Sequence, residues 1–474
     1  MPRSPNIVLI MTDQQALHAV GCYGAPLCRT PNIDALAKDG IRFTESRSPC
    51  ALCAPARATM LTGLYPHRHG IIGNIEIDRP ELVCFPQRLA ERGYNLGYSG
   101  KWHAGLVRTA NDMGFEGFGP QGYGSPYGPQ YDAWLARKGL RKPEPAIEFY
   151  AEGEPRRAWG DSSGYLNGPT EACPSAFIAD LAIELLTRFA QADRPFLVIC
   201  SFWGPHAPYL PSNDYKDTYS PADIPPWASF ADDLSNRPLL HRKHREVVFP
   251  NAAHADWDTW SQVVARYYGL ATEVDAHIGR VVAALRNLGL YKDTIVVYTA
   301  DHGETVGIHG GAFDKGAMPY EEVYRTPLIV KMPDNQHAGT TRSQRVSLLD
   351  FAATFCELAK TDMPPTDGAS FVPALYDPDA PGREYFCAEF HGHRFPVAQR
   401  IIWWQHYKYV LNFADIDELY DLDADVAELH NLIAEPALVD VRDEMRRRLM
   451  EHMVAVDDTH GPQWEYILDR PFQR

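Results

Sequence analysis

Two runs of consecutive apolar residues, each closed by an acidic residue, set the frame for this 474-residue chain. Ile7–Met11 runs into Thr12-Asp13, and Thr294–Tyr298 (TIVVY) leads to Asp301-His302. Apolar runs without alternation read as strands buried on both faces, the habit of a parallel sheet covered by helices. Leu197–Phe202 (LVICSF) and Pro327–Val330 (PLIV) are further strands of this kind. Residues 260–289 carry Val264, Tyr268, Ala271, Val274, Ile278, Val281, Val282 and Leu285 at three- and four-residue intervals, which predicts a long amphipathic helix. The expectation is an α/β fold with a large, mostly parallel sheet and helices on both faces. Ligands of such sheets sit beyond the carboxyl ends of strands, where Asp13, His206 and Asp301-His302 all fall.

Residues 114–170 are rich in Gly, Pro and Tyr (GFGPQGYGSPYGPQY) and read as an irregular excursion; residues 209–258 are similar. Loops this long usually build or cover a site. From about residue 375 the pattern changes. Arg400–Trp404 (RIIWW) and Tyr407–Asn412 (YKYVLN) read as short antiparallel strands, followed by ELYDLDAD and a helix over 436–453. The chain therefore divides into a large α/β domain, 1–375, and a smaller α+β subdomain with an antiparallel sheet, 376–474.

The balance of 45 Lys+Arg against 61 Asp+Glu, a formal net charge of -16, disfavours nucleic acid and anionic membranes as partners. It leaves room for a small basic pocket that takes an anionic substrate. No run approaches the ~18 apolar residues of a membrane span. Only five apolar residues precede Thr12, fewer than the roughly 7–15 of a secretory h-region, so no signal peptide is expected. Nine cysteines, an odd number, argue against a disulfide framework and for a cytoplasmic location.

The sharpest local feature is Cys53-Ala-Pro55-Ala-Arg57, continuing Ala-Thr-Met-Leu-Thr62-Gly63. A free cysteine is most often a small buried hydrophobe. Cys50-Ala-Leu-Cys53 is also a C-x-x-C, redox-active or half a zinc site, but no second pair completes a zinc set and no thioredoxin pattern surrounds it. Asp13, Asp301 and His302 offer hard oxygens and an imidazole for a divalent cation, with Gln14 as a neutral oxygen. Lys101, His103, Lys315, Arg57 and His206 form a positive set drawn from four segments. If they converge, they suit a tetrahedral oxyanion. Gly160-Asp-Ser162-Ser-Gly164 matches G-x-S-x-G, but it lacks the strand before and the helix after that a serine-hydrolase elbow needs.

Cys53–Gly63 resembles the signature of the type I sulfatases of the alkaline-phosphatase superfamily. Thr12-Asp13-Gln14, Gly100-Lys101-Trp102-His103, Pro205-His206-Ala-Pro-Tyr209, Asp301-His302-Gly-Glu304, Asp314-Lys315-Gly316 and ELYDL follow in the family's order, across nearly the whole chain. The resemblance implies an alkaline-phosphatase-like fold and hydrolysis of a small-molecule sulfate monoester. It implies that a formylglycine-generating enzyme oxidises Cys53 to Cα-formylglycine, whose gem-diol attacks sulfur beside one divalent metal. Asp13, Gln14, Cys53, Asp301 and His302 would hold the metal. Lys101 and Lys315 would hold the sulfate oxygens, His206 would protonate the leaving alkoxide, and His103 would act as the base that releases sulfate. Arg57 would orient the diolate, and Asn74 would add a substrate contact.

The family's usual Asp-Asp and Asp-Asn are here Asp13-Gln14 and Asp301-His302. This exchange of a charge for a softer ligand moves the metal preference from strictly calcium toward manganese, with calcium and magnesium still in range. Phosphonate monoester hydrolases of the same superfamily are the nearest rival reading. They share this metal pattern but tend to carry Tyr and Thr where Lys101 and His103 stand. A non-catalytic binding protein would have lost a ligand or a lysine, and none is missing. His391 and His393 are expected at a solvated surface, while His67, His69 and His309 are expected to be structural. The acidic surface and the C-terminal extension permit a homo-oligomer.

Overall fold

The computed structural model describes residues 4–74, 79–153, 160–413 and 415–458. Its centre is an eight-stranded sheet. The strands run in the order Thr340–Arg342, Ile41–Phe43, Leu328–Lys331, Thr294–Ala300, Asn6–Asp13, Phe196–Pro205, Asn95–Gly100 and Glu116–Phe118. Leu328–Lys331 is antiparallel to both of its neighbours, and every other pairing is parallel. All four strands read from the sequence lie side by side in this sheet. Their lack of alternation has a simple origin. Along the first strand Ile7, Leu9 and Met11 enter one apolar core, while Val8 and Ile10 enter the other. Both faces are therefore dry, as expected of strands covered by helices.

The long helix spans Trp257–Asn287 and is capped by the Asp256 carboxylate, which accepts from the Thr259 amide at 2.9 Å. It packs with Pro174–Phe189 on one face of the sheet. Cys53–Thr62, Phe85–Glu91 and Phe351–Leu358 cover the other. Tyr385–Phe390, Gln399–Trp404, Tyr407–Asn412 and Glu418–Asp421 form a separate antiparallel sheet, backed by the Val439–Ala455 helix.

The stretch 114–170 is more regular than its composition suggests. It holds a helix, Pro129–Lys138, and a strand pair, Glu144–Tyr150 with Ser162–Asn167. The helix signals are present in the sequence. Pro129 opens it, Gly139 closes it at φ 68°, and Tyr131, Trp134 and Leu135 share its buried side. Ser162 begins a strand paired antiparallel with Tyr150, so the G-x-S-x-G run is not a nucleophile elbow. Among the described residues, no helix is long and apolar enough to cross a membrane.

The small sheet is tied to the Pro66–His69 helix of the large domain by Glu389, a buried residue on that sheet's first strand. Its carboxylate takes His67 Nδ1 at 2.5 Å and His391 Nε2 at 2.9 Å. Burial would raise this carboxyl, but hydrogen bonds from His391 and His67 hold it well below the usual range. Burial would likewise lower His67, yet Glu389 lifts it above its ordinary 6.5. The depressed carboxyl stabilises the fold above about pH 4.5, and this is lost as pH falls through its folded value. The raised imidazole stabilises below about pH 6.5, and this is lost as pH rises through its folded value. Glu389→Gln should therefore cost roughly 2–3 kcal/mol. Thermal melts across pH should show the largest difference from the unmodified chain between about pH 4.5 and 6.5.

Candidate active site

Four adjacent parallel strands end in chemistry. Asp13 closes Asn6–Asp13, Lys101 follows Gly100, His206 follows Pro205, and Asp301 follows Ala300. Gly100 is required here. At φ 119°, a Cβ would lie 1.8 Å from the Ser201 carbonyl, so only glycine lets the strand turn Lys101 inward. Cys53 is the first residue of a ten-residue helix that is buried throughout, and its sulfur faces this strand edge. Asp13, Cys53, Lys101, Asp301 and His302 are each fully inaccessible to solvent, and His103 and Lys315 nearly so.

The buried charges compensate one another. Lys101 Nζ pairs directly with Asp13, and Arg57 Nε donates to Asp301 Oδ2 at 2.8 Å. Lys315 Nζ donates to Asp314 Oδ1 at 2.9 Å, to Gln14 Oε1 at 2.6 Å and to His206 Nε2 at 2.8 Å. Burial alone would push the Cys53 thiol up, but Lys101, Lys315 and His302 pull it well below its ordinary 9.0. Seven other cysteines, Cys50 among them, are pushed upward by burial. Position 53 is thus built for an anion.

Donor atoms of Asp13, Cys53, Asp301 and His302 lie within 4.8 Å of one another. His302 Nδ1–H donates to the Gly303 carbonyl at 2.9 Å, which turns Nε2 toward the Cys53 sulfur at 3.2 Å. Burial would lower this imidazole, yet Asp301 and Cys53 raise it to about 9, so the site draws positive charge to the position of Nε2. Two carboxylates and an imidazole oriented by a backbone carbonyl fit a divalent cation. Gln14 is held differently from the expectation of a simple ligand. Its Oε1 accepts from Lys315, and its Nε2 donates to Glu304 and to Asp314 Oδ1 at 3.0 Å.

Among the described residues, two further groups offer three ligand atoms each, and His67, Glu389 and Asp458 form one of them. In the other, Cys173, Glu273 and His277, the Arg280 guanidinium lies 3.1 Å from His277 Nδ1 and can only donate. Nε2 then carries the hydrogen that faces Cys173 Sγ at 3.3 Å, which leaves His277 no lone pair for a metal.

Other expected site residues take defined places. Arg57 does more for the frame than for Cys53, since its Nη1 donates to the Lys101 carbonyl and to Ser201 Oγ, both at 2.8 Å. Asn74 Oδ1 accepts from the Ala54 amide at 3.1 Å in the first turn of the Cys53 helix, and its carbonyl accepts from His103 Nε2 at 3.3 Å. His103 Nδ1 is buried and free of hydrogen bonds. Burial lowers this imidazole to about 4, so it is neutral at pH 7 and able to take a proton. His206 Nδ1–H donates to the Ala207 carbonyl at 2.6 Å, which leaves Nε2 to Lys315.

His391 and His393 are half-buried, against the expectation of a solvated surface, and His393 Cδ2 lies within 4.0 Å of a Cβ built on Gly316. His69 bonds to Thr59 Oγ1 at 3.0 Å, and His309 bonds to Asp232 and stacks on Tyr320, both in structural settings. The residues that sequence reasoning underweighted are Tyr123, Asp314 and Glu304. The last two stand inside quoted motifs, and their Asp-Lys and Asp-His-Gly-Glu contexts were the available signal. Tyr123 carried only the signal of an aromatic in a glycine-rich loop.

Two outcomes follow from this geometry. Arg57→Ala strands the Asp301 charge and should cost about 3–5 kcal/mol in chemical denaturation. Chelator treatment should lower the melting temperature and added divalent cation should restore it, whereas Asp301→Asn should abolish that response.

The sulfatase family model matches residues 5–361, and the model for the N-sulphoglucosamine sulphohydrolase C-terminal region matches residues 307–455. The chain is 30% identical over 479 residues to the uncharacterized sulfatase YidJ of Escherichia coli, covering 100% of this chain and 91% of the relative. It is 27% identical to the N-acetylglucosamine-6-O-sulfatase of Bacteroides thetaiotaomicron, covering 98% and 89%. The crystal structure of the phosphonate monoester hydrolase of Agrobacterium radiobacter superposes with a TM-score of 0.77 at 24% identity, covering 95% of this chain and 96% of that one. With its central mixed sheet, separate four-stranded sheet and strand-edge site, the chain belongs to the sulfatase family of the alkaline phosphatase superfamily, the sulfuric ester hydrolases.

Proposed function

We propose that the protein hydrolyses a sulfate monoester, R–O–SO3, to an alcohol and inorganic sulfate, with Cys53 acting in its formylglycine form beside one divalent cation. The observation that carries this reading is the convergence of Lys101, Lys315, His103 and His206 on a buried position 53 whose surroundings favour an anion. The cation, held by Asp13, Asp301 and His302, would supply Lewis-acid stabilisation of negative oxygen. The hydrated aldehyde would supply one hydroxyl to attack sulfur and a second whose deprotonation expels sulfate. A formylglycine-generating enzyme is the maturation partner this requires. The nine cysteines are all free, which supports a reducing, cytoplasmic setting.

The chain's own residues divide the remaining work. Lys101 and Lys315 place ammonium groups against the sulfate oxygens, where transition-state charge builds. His206 Nε2 and Lys315 Nζ share a proton at 2.8 Å and stand as the donor to the leaving alkoxide. His103 Nδ1, neutral and fixed by the Asn74 carbonyl, receives the proton that releases sulfate. The alternative reading is a phosphonate monoester or phosphodiester hydrolase, favoured by Asp13-Gln14 with Asp301-His302. Lys101 and His103 at the transferred group favour the sulfate ester.

The test begins with mass spectrometry of the peptide spanning Cys53, from protein co-expressed with a formylglycine-generating enzyme. Conversion of thiol to aldehyde lowers the mass by about 18 Da. A residue that stays a thiol beside an active modifying enzyme overturns the mechanism. With the aldehyde present, sulfate esters should be cleaved at higher kcat/KM than matched phosphonate and phosphate esters. His206→Ala should lower kcat by about 10²–10⁴ for alkyl sulfates and far less for 4-nitrophenyl sulfate, whose leaving group needs no proton.

A further inference from the structure

Beside the anion site lies a second, largely apolar chamber of about 180 Å³ that the chemistry above does not use. Its walls include Tyr123, Trp203, Leu210, Leu270 and Ile178, and Glu273 is the acidic group among them. His206 and Tyr123 belong to both spaces. The Tyr123 ring sits 4.1 Å from Lys101 Nζ and its hydroxyl lies 3.5 Å from His206 Nδ1, while the same two side chains line the chamber. Gly122 and Gly124, at φ 60° and 64°, flank Tyr123 and set it at this boundary.

An ester whose sulfate oxygens meet Lys101 and Lys315 has its bridging oxygen at His206, the proposed proton donor. The carbon side of that bond then faces the chamber. Apolar cavities of about 150 Å³ hold one benzene. The space therefore matches a single six-membered ring, and the aromatic side chains of Tyr123 and Trp203 in its wall suit an aromatic one. The Glu273 carboxyl is almost wholly buried, and one of its oxygens accepts from the Ser212 amide at 2.6 Å. Burial raises this carboxyl above its ordinary value, and a wall whose described residues include no lysine or arginine leaves a second anionic group on the substrate desolvated and unpaired.

Resting on the sulfatase reading, we propose that this chamber is the alcohol subsite and that the preferred substrate is the sulfate ester of a neutral, single-ring apolar alcohol. Multiply sulfated or carboxylated sugars are disfavoured by the same walls.

The test uses the full chain with the aldehyde verified at residue 53, and phenyl sulfate, methyl sulfate, 4-carboxyphenyl sulfate and glucose 6-sulfate as substrates. Comparing the variant with the parent sequence, both carrying the aldehyde, on each ester cancels intrinsic reactivity. Leu270→Trp, which fills the chamber, should lower kcat/KM for phenyl sulfate about 10- to 200-fold more than for methyl sulfate. Phenol binding, followed by calorimetry at millimolar concentration, should weaken in parallel, while inhibition by inorganic sulfate persists. Equal losses on both aryl and methyl esters with unchanged phenol binding overturn the proposal, as does a preference for glucose 6-sulfate or 4-carboxyphenyl sulfate over phenyl sulfate. If no sulfate ester is cleaved by the modified chain, the sulfatase reading fails. Phenol binding that Leu270→Trp abolishes would then still establish the chamber as a ring site, and absent phenol binding would remove both.

Discussion

The organisation of this protein depends on burying opposite charges together. Asp13 with Lys101, Asp301 with Arg57, and Asp314 with Lys315 sit at the carboxyl edge of the central sheet with almost no solvent contact. Removing any one partner would leave a charge in a medium that cannot solvate it, at a cost of several kcal/mol. The set is therefore held as a unit, and strand ends, the Cys53 helix and the Asp314 loop are locked into one register by it. Over the whole chain acidic residues outnumber basic ones, 61 to 45, so the gathering of Lys101, Arg57 and Lys315 at this edge is a local feature.

The three imidazoles proposed to act here share one device. His302 and His206 each give Nδ1–H to a backbone carbonyl, and His103 gives Nε2–H to another. Each carbonyl holds one ring nitrogen as a donor and so fixes which nitrogen is left to face the site, whether to carry a proton, to take one or to meet a cation. Main-chain atoms of a packed fold move little, so the proton inventory of the site is set before any substrate arrives.

Much of this was legible in the chain. Ile7–Met11 and Thr294–Tyr298 announced central strands because both faces of those strands are dry, and the acidic residues closing them marked the ligand edge. The Cys53–Gly63 run and the downstream motifs located the anion-binding set, because those side chains are themselves the chemistry. Three features went unread, two of them for reasons of long-range packing. That Arg57 would clamp Asp301 and the Lys101 carbonyl depends on partners 244 and 44 residues away. That Gln14 would turn its amide oxygen to Lys315 depends on the Asp314 loop. The helix Pro129–Lys138 was masked by surrounding Gly and Pro, though its own termini carried ordinary start and stop signals.

Cys53 has no solvent exposure, and every residue of its helix is likewise buried. Under the proposed conversion of Cys53 to formylglycine, this burial makes maturation a race. His302, whose ring closes over the sulfur, is encoded 249 residues later. At ribosomal rates of about 5–20 residues per second, some 12–50 s pass between the emergence of the two. During that interval the thiol lacks His302 and Asp301, which complete its enclosure, although Asp13 and Lys101 are already in the chain. Synthesis order thus grants a modifying enzyme an open window, and completion of the central sheet shuts it.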